Sequence, residues 1–337
     1  MITKELFGTT SDGKSVDLYT LHSGQYSASV SSYGGALVAF NGPDRNGDIA
    51  NVLLSYGKLE EYEDANTYFG FTIGRFANRI AGGRFSLDGK TYRLEQNDGG
   101  KHTLHSGSSG FNSHLFAATI DESSLVLTLN SPDGEGGFPG NVAARIIFSL
   151  SSDGALRIDY LATSDRRTPL NLTNHAYFNL AGSGSILSHR LQLSCDRYLE
   201  VDEELIPTGT VLKSEGTAFD FTDPKPIGED LEAAGGYDHC MIRSGQADLT
   251  KPVATVEDPS SGRRLETFTT LEALQFYSGN FLDGTDHSPQ GVPYTKHSGF
   301  CLETQHYPDS VNHPGFPSPW YDEEHPFSHT TIYRLSV

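Results

Sequence analysis

Apolar and polar residues alternate in many short segments along the chain. An alternation with a period of two is typical of β-strands that bury one face. It predicts strands over Tyr26–Val30, Leu125–Asn130, Val142–Leu150, Ala155–Ala162, Arg190–Cys195, Val253–Glu257, Arg263–Thr269, Gly299–Thr304 and Thr330–Val337. One face of the last segment would carry Thr331, Tyr333, Leu335 and Val337. Helical periodicity is nearly absent, and only Lys58–Glu63 has a composition that suits one or two helical turns.

Turn-forming residues separate these segments, since the 337 residues include 36 glycines and 16 prolines. Asp-Gly pairs favour tight hairpins. They occur at Asp88–Gly89, within a predicted Arg84–Leu94 hairpin, and at Asp153–Gly154. Many short strands joined by turns indicate an all-β, antiparallel sandwich or barrel with very little helix.

Two longer segments, Ser131–Asn141 and Asp283–His297, are rich in glycine and proline and are predicted to be loops. Loops of this length in compact domains are often functional. No Pro-rich or Ser-rich linker divides the chain. We therefore expect a single domain that spans residues 1–337.

The charge balance narrows the range of partners. The chain has 24 Lys and Arg against 43 Asp and Glu, which gives a net charge of −19. Such a charge argues against nucleic acid and anionic membrane surfaces. It also makes a phosphorylated substrate less favourable, although a local basic pocket could override the average.

Cysteine usage and hydropathy bear on the compartment. Cys195, Cys240 and Cys301 are too few, and odd in number, for a disulfide framework, so we expect buried free thiols. The N-terminal residues lack the apolar core of a signal peptide, and no later run is long enough to span a bilayer. These features predict a soluble, cytoplasmic protein.

The segment Ser298–Asp309 places Glu303 within an apolar, strand-like pattern. Phe300 and Leu302 would face one side of this strand, whereas Glu303 would face the other. An exposed glutamate on a solvated sheet face is one interpretation. Burial of a lone carboxylate is costly, however, so a buried Glu303 would indicate a functional group.

The segment Thr173–Leu180 alternates in the same way and predicts another strand. One face would carry His175, Tyr177 and Asn179, and the other Ala176, Phe178 and Leu180. Two strands would thus each present a proton-transfer group, a carboxylate on one and an imidazole on the other. Such a pair is the minimum for general acid–base chemistry on a polar substrate.

Motifs for bound cofactors are absent from the sequence. No His-Glu-x-x-His or Cys-x-x-Cys spacing is present, so we expect no metal site. No Gly-x-Gly-x-x-Gly fingerprint opens a helix and no phosphate-binding loop occurs, which disfavours nucleotide cofactors. The Gly-x-Ser-x-Gly elbow of serine hydrolases is also missing.

Other planar or charged side chains lie in turns and strand ends, namely Asn78, Arg79, His105, Asp238 and Gln275. Their amide, guanidinium, imidazole and carboxylate groups offer directional hydrogen bonds of the kind that sugar hydroxyls need. Each also has a structural interpretation. Arg79 could form a surface ion pair, Asp238 could be a turn residue, and His105 could be an ordinary loop histidine.

Six segments occur along the chain in the order GRFANRI, LHSG, TNHAYFNL, GYDHC, LQFYSGNFL and SGFCLETQHYPDSVNHPGFP. Together they resemble the aldose 1-epimerase family, also called galactose mutarotase, from about residue 33 to the C-terminus. The resemblance implies an antiparallel β-supersandwich of the galactose mutarotase-like type. It also implies interconversion of the α and β anomers of free aldoses such as glucose and galactose, without a cofactor. We expect a monosaccharide as the binding partner and a monomer or weak homodimer.

The resemblance also assigns roles to residues. Glu303 in CLETQ is similar to the family's general base, and His175 in TNHAYFNL is similar to its general acid. Substrate-binding roles are implied for Asn78, Arg79, His105, Tyr177, Asp238 and Gln275. Two positions depart from the family pattern, which usually has Gly at Ser106 and often Ser at Ala176. We expect Ser106 to narrow the pocket near His105, and Ala176 to face the apolar side with little effect.

Other functions fit parts of the sequence. A glycoside hydrolase or lyase on a related sandwich would use two carboxylates, for which Asp238 and Glu303 are candidates. A hexose-6-phosphate 1-epimerase would need basic residues near the phosphate, and a sugar-binding module would bind without turnover. The pairing of Glu303 with His175 fits ring opening best.

Overall fold

The computed structural model describes residues 1–337 and consists mainly of antiparallel β-strands. In chain order the strands are β1 (Ile2–Thr9), β2 (Ser15–Ser23), β3 (Tyr26–Ser31), β4 (Leu37–Pro43), β5 (Ile49–Asn51), β6 (Thr72–Ile73), β7 (Arg79–Ile80), β8 (Arg84–Leu87), β9 (Lys90–Arg93), β10 (Thr103–Leu104), β11 (Ala117–Asp121), β12 (Ser124–Ser131), β13 (Val142–Leu150), β14 (Ala155–Ser164), β15 (Thr168–Pro169), β16 (Thr173–Asn174), β17 (Tyr177–Phe178), β18 (Arg190–Leu193), β19 (Cys195–Val201), β20 (Pro207–Lys213), β21 (Lys225–Pro226), β22 (Asp238–Arg243), β23 (Ala254–Glu257), β24 (Arg264–Thr269), β25 (Ala273–Tyr277), β26 (Phe300–Gln305), β27 (Trp320–Tyr321) and β28 (Phe327–Ser336). Helix is confined to α1 (Leu59–Glu63), α2 (Leu231–Ala234) and 3₁₀ turns at Ala81–Gly83, Gly107–Ser109, Phe111–Ser113 and Glu135–Gly137.

Three sheets carry most of the structure. The N-terminal strands form a five-stranded meander in the order β1-β2-β3-β4-β5. A nine-stranded sheet has the order β11-β12-β13-β14-β28-β24-β23-β18-β21, and a six-stranded sheet the order β17-β26-β25-β22-β19-β20. The strands β6 with β16, β7 with β10, β8 with β9, and β15 with β27 form short two-stranded pairs.

The main hydrophobic core lies between these sheets, because the alternation in each strand turns one face inward. On β13, Ile146 and Phe148 are fully buried, and they pair across the sheet with Tyr160 and Ile158 of β14. A cluster of 46 buried residues runs from Tyr19 to Leu335 and draws on all three sheets. Such burial is the dominant favourable contribution to folding.

The sequence predicted most of these elements closely. The strand predicted over Val142–Leu150 has the same bounds as β13, and the predicted Arg84–Leu94 hairpin is formed by β8 and β9. At its turn Asp88 and Gly89 both have positive φ, 52° and 76°, as a tight two-residue hairpin turn requires. The predicted turn at Lys58–Glu63 is α1, which buries Leu59 and Tyr62.

Two predictions about strands were wrong. Val337 lies beyond β28 and is 58% exposed, so it does not extend the buried face of that strand. The segment Thr173–Leu180 is not one strand, because it changes pairing partner along its length. Its first part, β16, pairs with β6, whereas β17 pairs with β26. His175 lies at the crossover between these two strands.

The three cysteines are free and buried, as predicted. No helix in the structure is long and apolar enough to cross a bilayer. The Ser131–Asn141 segment is loop apart from its first residue, which ends β12, and the 3₁₀ turn at Glu135–Gly137. The Asp283–His297 segment has neither helix nor strand.

Candidate active site

A cavity of about 150 Å³ lies where β17, β22 and β26 of the six-stranded sheet meet the short strands β7 and β10. It is lined by Asn66, Thr67, Tyr68, Asn78, Arg79, Leu104, His105, His175, Tyr177, Asp238, Tyr277, Phe281, Leu282 and Glu303. A small concave site with a few convergent polar groups is the usual form of a small-molecule site.

Glu303 lies on β26, between β25 and β17, and is 2% exposed. Phe300 and Leu302 of the same strand pack in the main core, so the predicted alternation places the carboxyl group on the cavity side. Burial raises the pKa of Glu303 well above its ordinary value, and the carboxylate of Asp238 raises it further. Arg79 acts in the opposite direction. One carboxyl oxygen, Oε2, has no hydrogen-bond partner, so it is available to a ligand.

His175 faces this carboxyl group. Its backbone N–H donates to the carbonyl oxygen of Phe71 at 2.9 Å, and its own carbonyl accepts from Gly70 at 2.9 Å. The Nε2 atom lies 3.6 Å from Oε2 of Glu303, and Nδ1 lies 3.7 Å from Sγ of Cys301. Burial lowers the pKa of His175 to about 4. The imidazole is therefore neutral at physiological pH.

The imidazole of His105 is held by the backbone of Asn78. Both residues adopt positive φ, 52° for His105 and 66° for Asn78, which is uncommon outside glycine. The backbone N–H of Asn78 donates to Nδ1 of His105 at 3.1 Å. Since Nδ1 accepts this bond, a neutral ring carries its hydrogen on Nε2. His105 therefore presents a hydrogen-bond donor to the cavity.

Arg79 and Asp238 form the charged part of the wall. Arg79 Nε donates to Asp98 at 2.8 Å, and a terminal nitrogen lies 3.8 Å from Asp238. Burial raises the pKa of Asp238, while Arg79 and the hydrogen bond from Gln275 oppose this shift. The amide nitrogen of Gln275 donates to Asp238 at 2.7 Å. The guanidinium is thus shared between two carboxylates.

Seven of the eight predicted site residues line the cavity: Asn78, Arg79, His105, His175, Tyr177, Asp238 and Glu303. The eighth, Gln275, lies behind Asp238 and is not part of the lining. Ser106 does not narrow the cavity as expected, because its hydroxyl bonds to the backbone of Phe76. Ala176 is buried in the core, as expected. Asn179 lines a different cavity.

The sequence analysis missed several lining residues. Tyr277 follows Gln275 in an alternating strand, so its presence on the cavity side of β25 could have been inferred. Phe281 is the second-last residue of the LQFYSGNFL segment and is 67% exposed in the cavity lining. Tyr68 lies in a segment with no chemical motif, and nothing in the local pattern indicates that it reaches the cavity.

A possible metal site is formed by His105, His175 and Glu303, because one donor atom from each lies within 4.8 Å of the others. Two histidines and a carboxylate can hold a transition metal. A metal on Nε2 of His105 would need a lone pair there, but the bond from Asn78 keeps the hydrogen on that atom. The three residues therefore fit a metal poorly.

We accordingly expect activity to survive chelation. After exhaustive dialysis against EDTA, the anomer interconversion that the resemblance implies should run at the rate of the untreated protein, because a carboxyl group and an imidazole can transfer protons without a Lewis acid. A loss of rate that is restored by a divalent ion would contradict this prediction. Buffer-only dialysis serves as the control.

An antiparallel β-fold with a buried carboxyl group and an imidazole in a small polar cavity defines a protein suited to acid–base chemistry on a small polar molecule. The family model for aldose 1-epimerase matches residues 17–334. The chain is 42% identical to galactose mutarotase of Rattus norvegicus and 41% identical to that of Sus scrofa, each over 343 residues. Each alignment covers 100% of this chain and 99% of the relative. The chain therefore belongs to the aldose 1-epimerase family.

The fold agrees with this assignment. The crystal structure of an aldose epimerase homologue from C. elegans superimposes with a TM-score of 0.90 at 26% sequence identity, covering 95% of this chain and 98% of that one. The predicted all-β fold of the galactose mutarotase-like type is thus confirmed.

Proposed function

We propose that the protein is an aldose 1-epimerase that interconverts the α and β anomers of free aldohexoses such as glucose and galactose. The observation that carries this proposal is the buried pair of Glu303 and His175, which both line the cavity and whose Oε2 and Nε2 atoms are 3.6 Å apart. Both groups are reachable by one small ligand, and each can exchange a proton with it.

The proposed reaction opens and recloses the sugar ring. Glu303 takes the proton of the C1 hydroxyl while His175 gives a proton to the ring oxygen, and the C1–O5 bond breaks. Rotation about the C1–C2 bond presents the other face of the aldehyde. The same transfers in reverse close the ring with the opposite configuration at C1. Each group ends the cycle in its starting protonation state.

The pair shares one proton throughout this cycle. Ring opening begins with a carboxylate and an imidazolium and ends with a carboxylic acid and a neutral imidazole. A general base is expected to be ionised in the resting enzyme. Burial instead raises the pKa of Glu303 and lowers that of His175 to about 4, so the buried site favours the uncharged state of both groups. The reactive charged state is therefore a minor form of the singly protonated pair.

The other lining residues suit the binding of sugar hydroxyls. Arg79 and His105 supply donors, while Asp238 supplies an acceptor. Asn78 and Tyr177 complete this proposed binding set. We assign Gln275 an indirect role, since its side chain orients Asp238 rather than lining the cavity.

A hexose-6-phosphate epimerase is a weaker candidate because basic residues are scarce. Arg79 is the one Lys or Arg in the lining, and two carboxylates surround it. A neighbouring cavity, which shares Asn66, Thr67 and Phe281 with the site, has no Lys or Arg in its lining. Its titratable acidic and imidazole groups are Glu60, Glu61, Asp64, Asp283, Asp286 and His287. The acidic lining of this neighbouring cavity repels anions.

We therefore expect discrimination against sugar phosphates. The value of kcat/KM for glucose should exceed that for glucose 6-phosphate by at least about tenfold at low salt, and the ratio should shrink as salt screens the carboxylates. A coupled assay that consumes one anomer of each substrate can measure both. Equal values for the two sugars would favour the phosphate epimerase.

Polarimetry tests the proposed function directly. Freshly dissolved α-glucose, α-galactose and α-xylose should reach their equilibrium rotation faster with the protein than without it. Saturable binding with no acceleration would indicate a sugar-binding module. Release of new reducing ends from oligosaccharides, measured with the same protein preparation, would indicate a glycoside hydrolase.

We also propose that the chain acts as a single domain over residues 1–337, in the cytoplasm, in hexose metabolism, as a monomer or weak homodimer. Support for one domain comes from the continuous core that all three sheets share. Free buried cysteines suit a reducing compartment. Light scattering coupled to gel filtration measures the oligomeric state.

A further inference from the structure

Two tyrosine rings stack on the imidazole of His175. The ring centroid of Tyr68 lies 5.6 Å from that of His175 with an interplanar angle of 26°. The ring of Tyr177 lies at 5.1 Å with an angle of 18°. Both separations are within the range at which the face of an aromatic ring attracts a cation.

The backbone fixes Tyr68 in this position. The backbone N–H of Gly70 donates to the carbonyl oxygen of His175, and the carbonyl oxygen of Gly70 accepts from the side chain of Asn174 at 2.7 Å. Gly70 has a φ of +69°, and a Cβ there would lie 2.1 Å from the carbonyl oxygen of Leu37. Only glycine fits this position. The segment that carries Tyr68 is thus held tightly against the segment that carries His175.

The other groups around His175 stabilise a positive charge on its imidazole only weakly. Glu303 is the nearest acid, but burial favours its neutral form. The thiol of Cys301 is buried, and burial raises its pKa well above the ordinary value, so it stays uncharged. His105 lies edge-on, with ring centroids 5.1 Å apart, and it too is kept neutral by burial. Arg79 is directed to its two carboxylates.

We propose that Tyr68 and Tyr177 form an aromatic clamp that stabilises the protonated imidazole of His175 in the reactive state of the pair. This inference rests on the proposed general-acid role of His175. It makes Tyr68 a positioning residue, which acts through His175 on the ring oxygen of the sugar.

The clamp acts through the faces of the rings. Burial raises the pKa of Tyr68 to about 12, so its hydroxyl carries no charge at physiological pH. The negative potential over an aromatic face is a property of the ring and is weakened when fluorine replaces ring hydrogens. The energetic effect of the clamp can therefore be tested with little change in shape.

The test replaces Tyr68 by phenylalanine and by 3,4,5-trifluorophenylalanine. The pKa of His175 is followed by NMR of the free protein with ¹³C-labelled histidine, and its signal is assigned from the spectrum of His175→Asn. Tyr68→Phe should retain the wild-type pKa. The trifluoro ring should lower it by about half to one unit relative to phenylalanine, with a parallel three- to tenfold fall in kcat.

The same fluorinated residue at Phe85 is the matched control, because Phe85 is buried in a separate cluster away from the cavity. It should leave the titration of His175 unchanged. Equal His175 pKa values for phenylalanine and the trifluoro ring at position 68 would overturn the clamp. A shift in pKa without any mutarotation in the wild type would support the clamp and contradict the proposed function instead.

Discussion

Glu303→Gln is expected to lose at least about a hundredfold in turnover while it still binds sugar, because the amide has no basic lone pair to accept the C1 proton. The substitution keeps the size of the side chain and much of its hydrogen-bonding reach. Polarimetry of fresh α-glucose measures turnover, and isothermal titration calorimetry measures sugar binding. Near-normal rates would refute the role of Glu303 as the base and leave Asp238 as the next carboxylate to test.

Thermal unfolding at several pH values controls for damage to the fold. A buried glutamate whose pKa is raised in the folded state costs stability as pH rises through that value, since the unfolded chain ionises it more readily. Glutamine does not ionise. The melting temperature of Glu303→Gln at pH 8 should therefore equal or exceed that of the wild type, so that unfolding cannot explain the lost rate.

The pH profile should reflect the shared proton. The singly protonated pair exists between the pKa of His175, about 4, and the raised pKa of Glu303. We expect kcat/KM to fall below about pH 4, where both groups are protonated, and again above the raised pKa of Glu303, where both have lost their protons. Asp238→Asn removes a negative neighbour and lowers the pKa of Glu303, so the alkaline limb should move to lower pH. An unmoved limb would contradict this assignment.

His175→Asn should also reduce turnover by at least about a hundredfold, with a much smaller change in sugar affinity. The amide can donate a hydrogen bond to the ring oxygen but cannot transfer a full proton. Steady-state polarimetry over a range of sugar concentrations separates kcat from KM. A rate within about threefold of the wild type would place the general acid elsewhere, since acid catalysis contributes far more than that.

His329→Asn is a matched control for this variant. His329 lies on β28 outside the cavity, and burial lowers its pKa to about 4, as for His175. Its Nδ1 atom is 3.1 Å from the hydroxyl of Thr270. The substitution changes a partly buried histidine, whose pKa is shifted in the same direction, without touching the proposed sugar site. It should therefore keep the wild-type rate.

Local sequence patterns determined much of the fold. Alternation with a period of two depends on neighbouring residues alone, and it therefore located strands such as β13 and the face of β26 that carries Glu303. The Asp88–Gly89 pair likewise specified its hairpin through its own backbone preferences. Seven of the eight residues that the motif resemblance assigned to the site line the cavity, because each motif retains its chemistry in a short segment.

Other features depend on contacts between distant segments, and only the tertiary structure decided them. The segment through His175 is not one strand, because its first part pairs with β6 and its second part pairs with β26. Gln275 is directed to Asp238 by pairing across the sheet. Tyr68 reaches His175 because Gly70 allows two segments more than 100 residues apart to pack closely. Likewise, burial shifts the pKa values of Glu303 and His175, and this burial exists only in the folded chain.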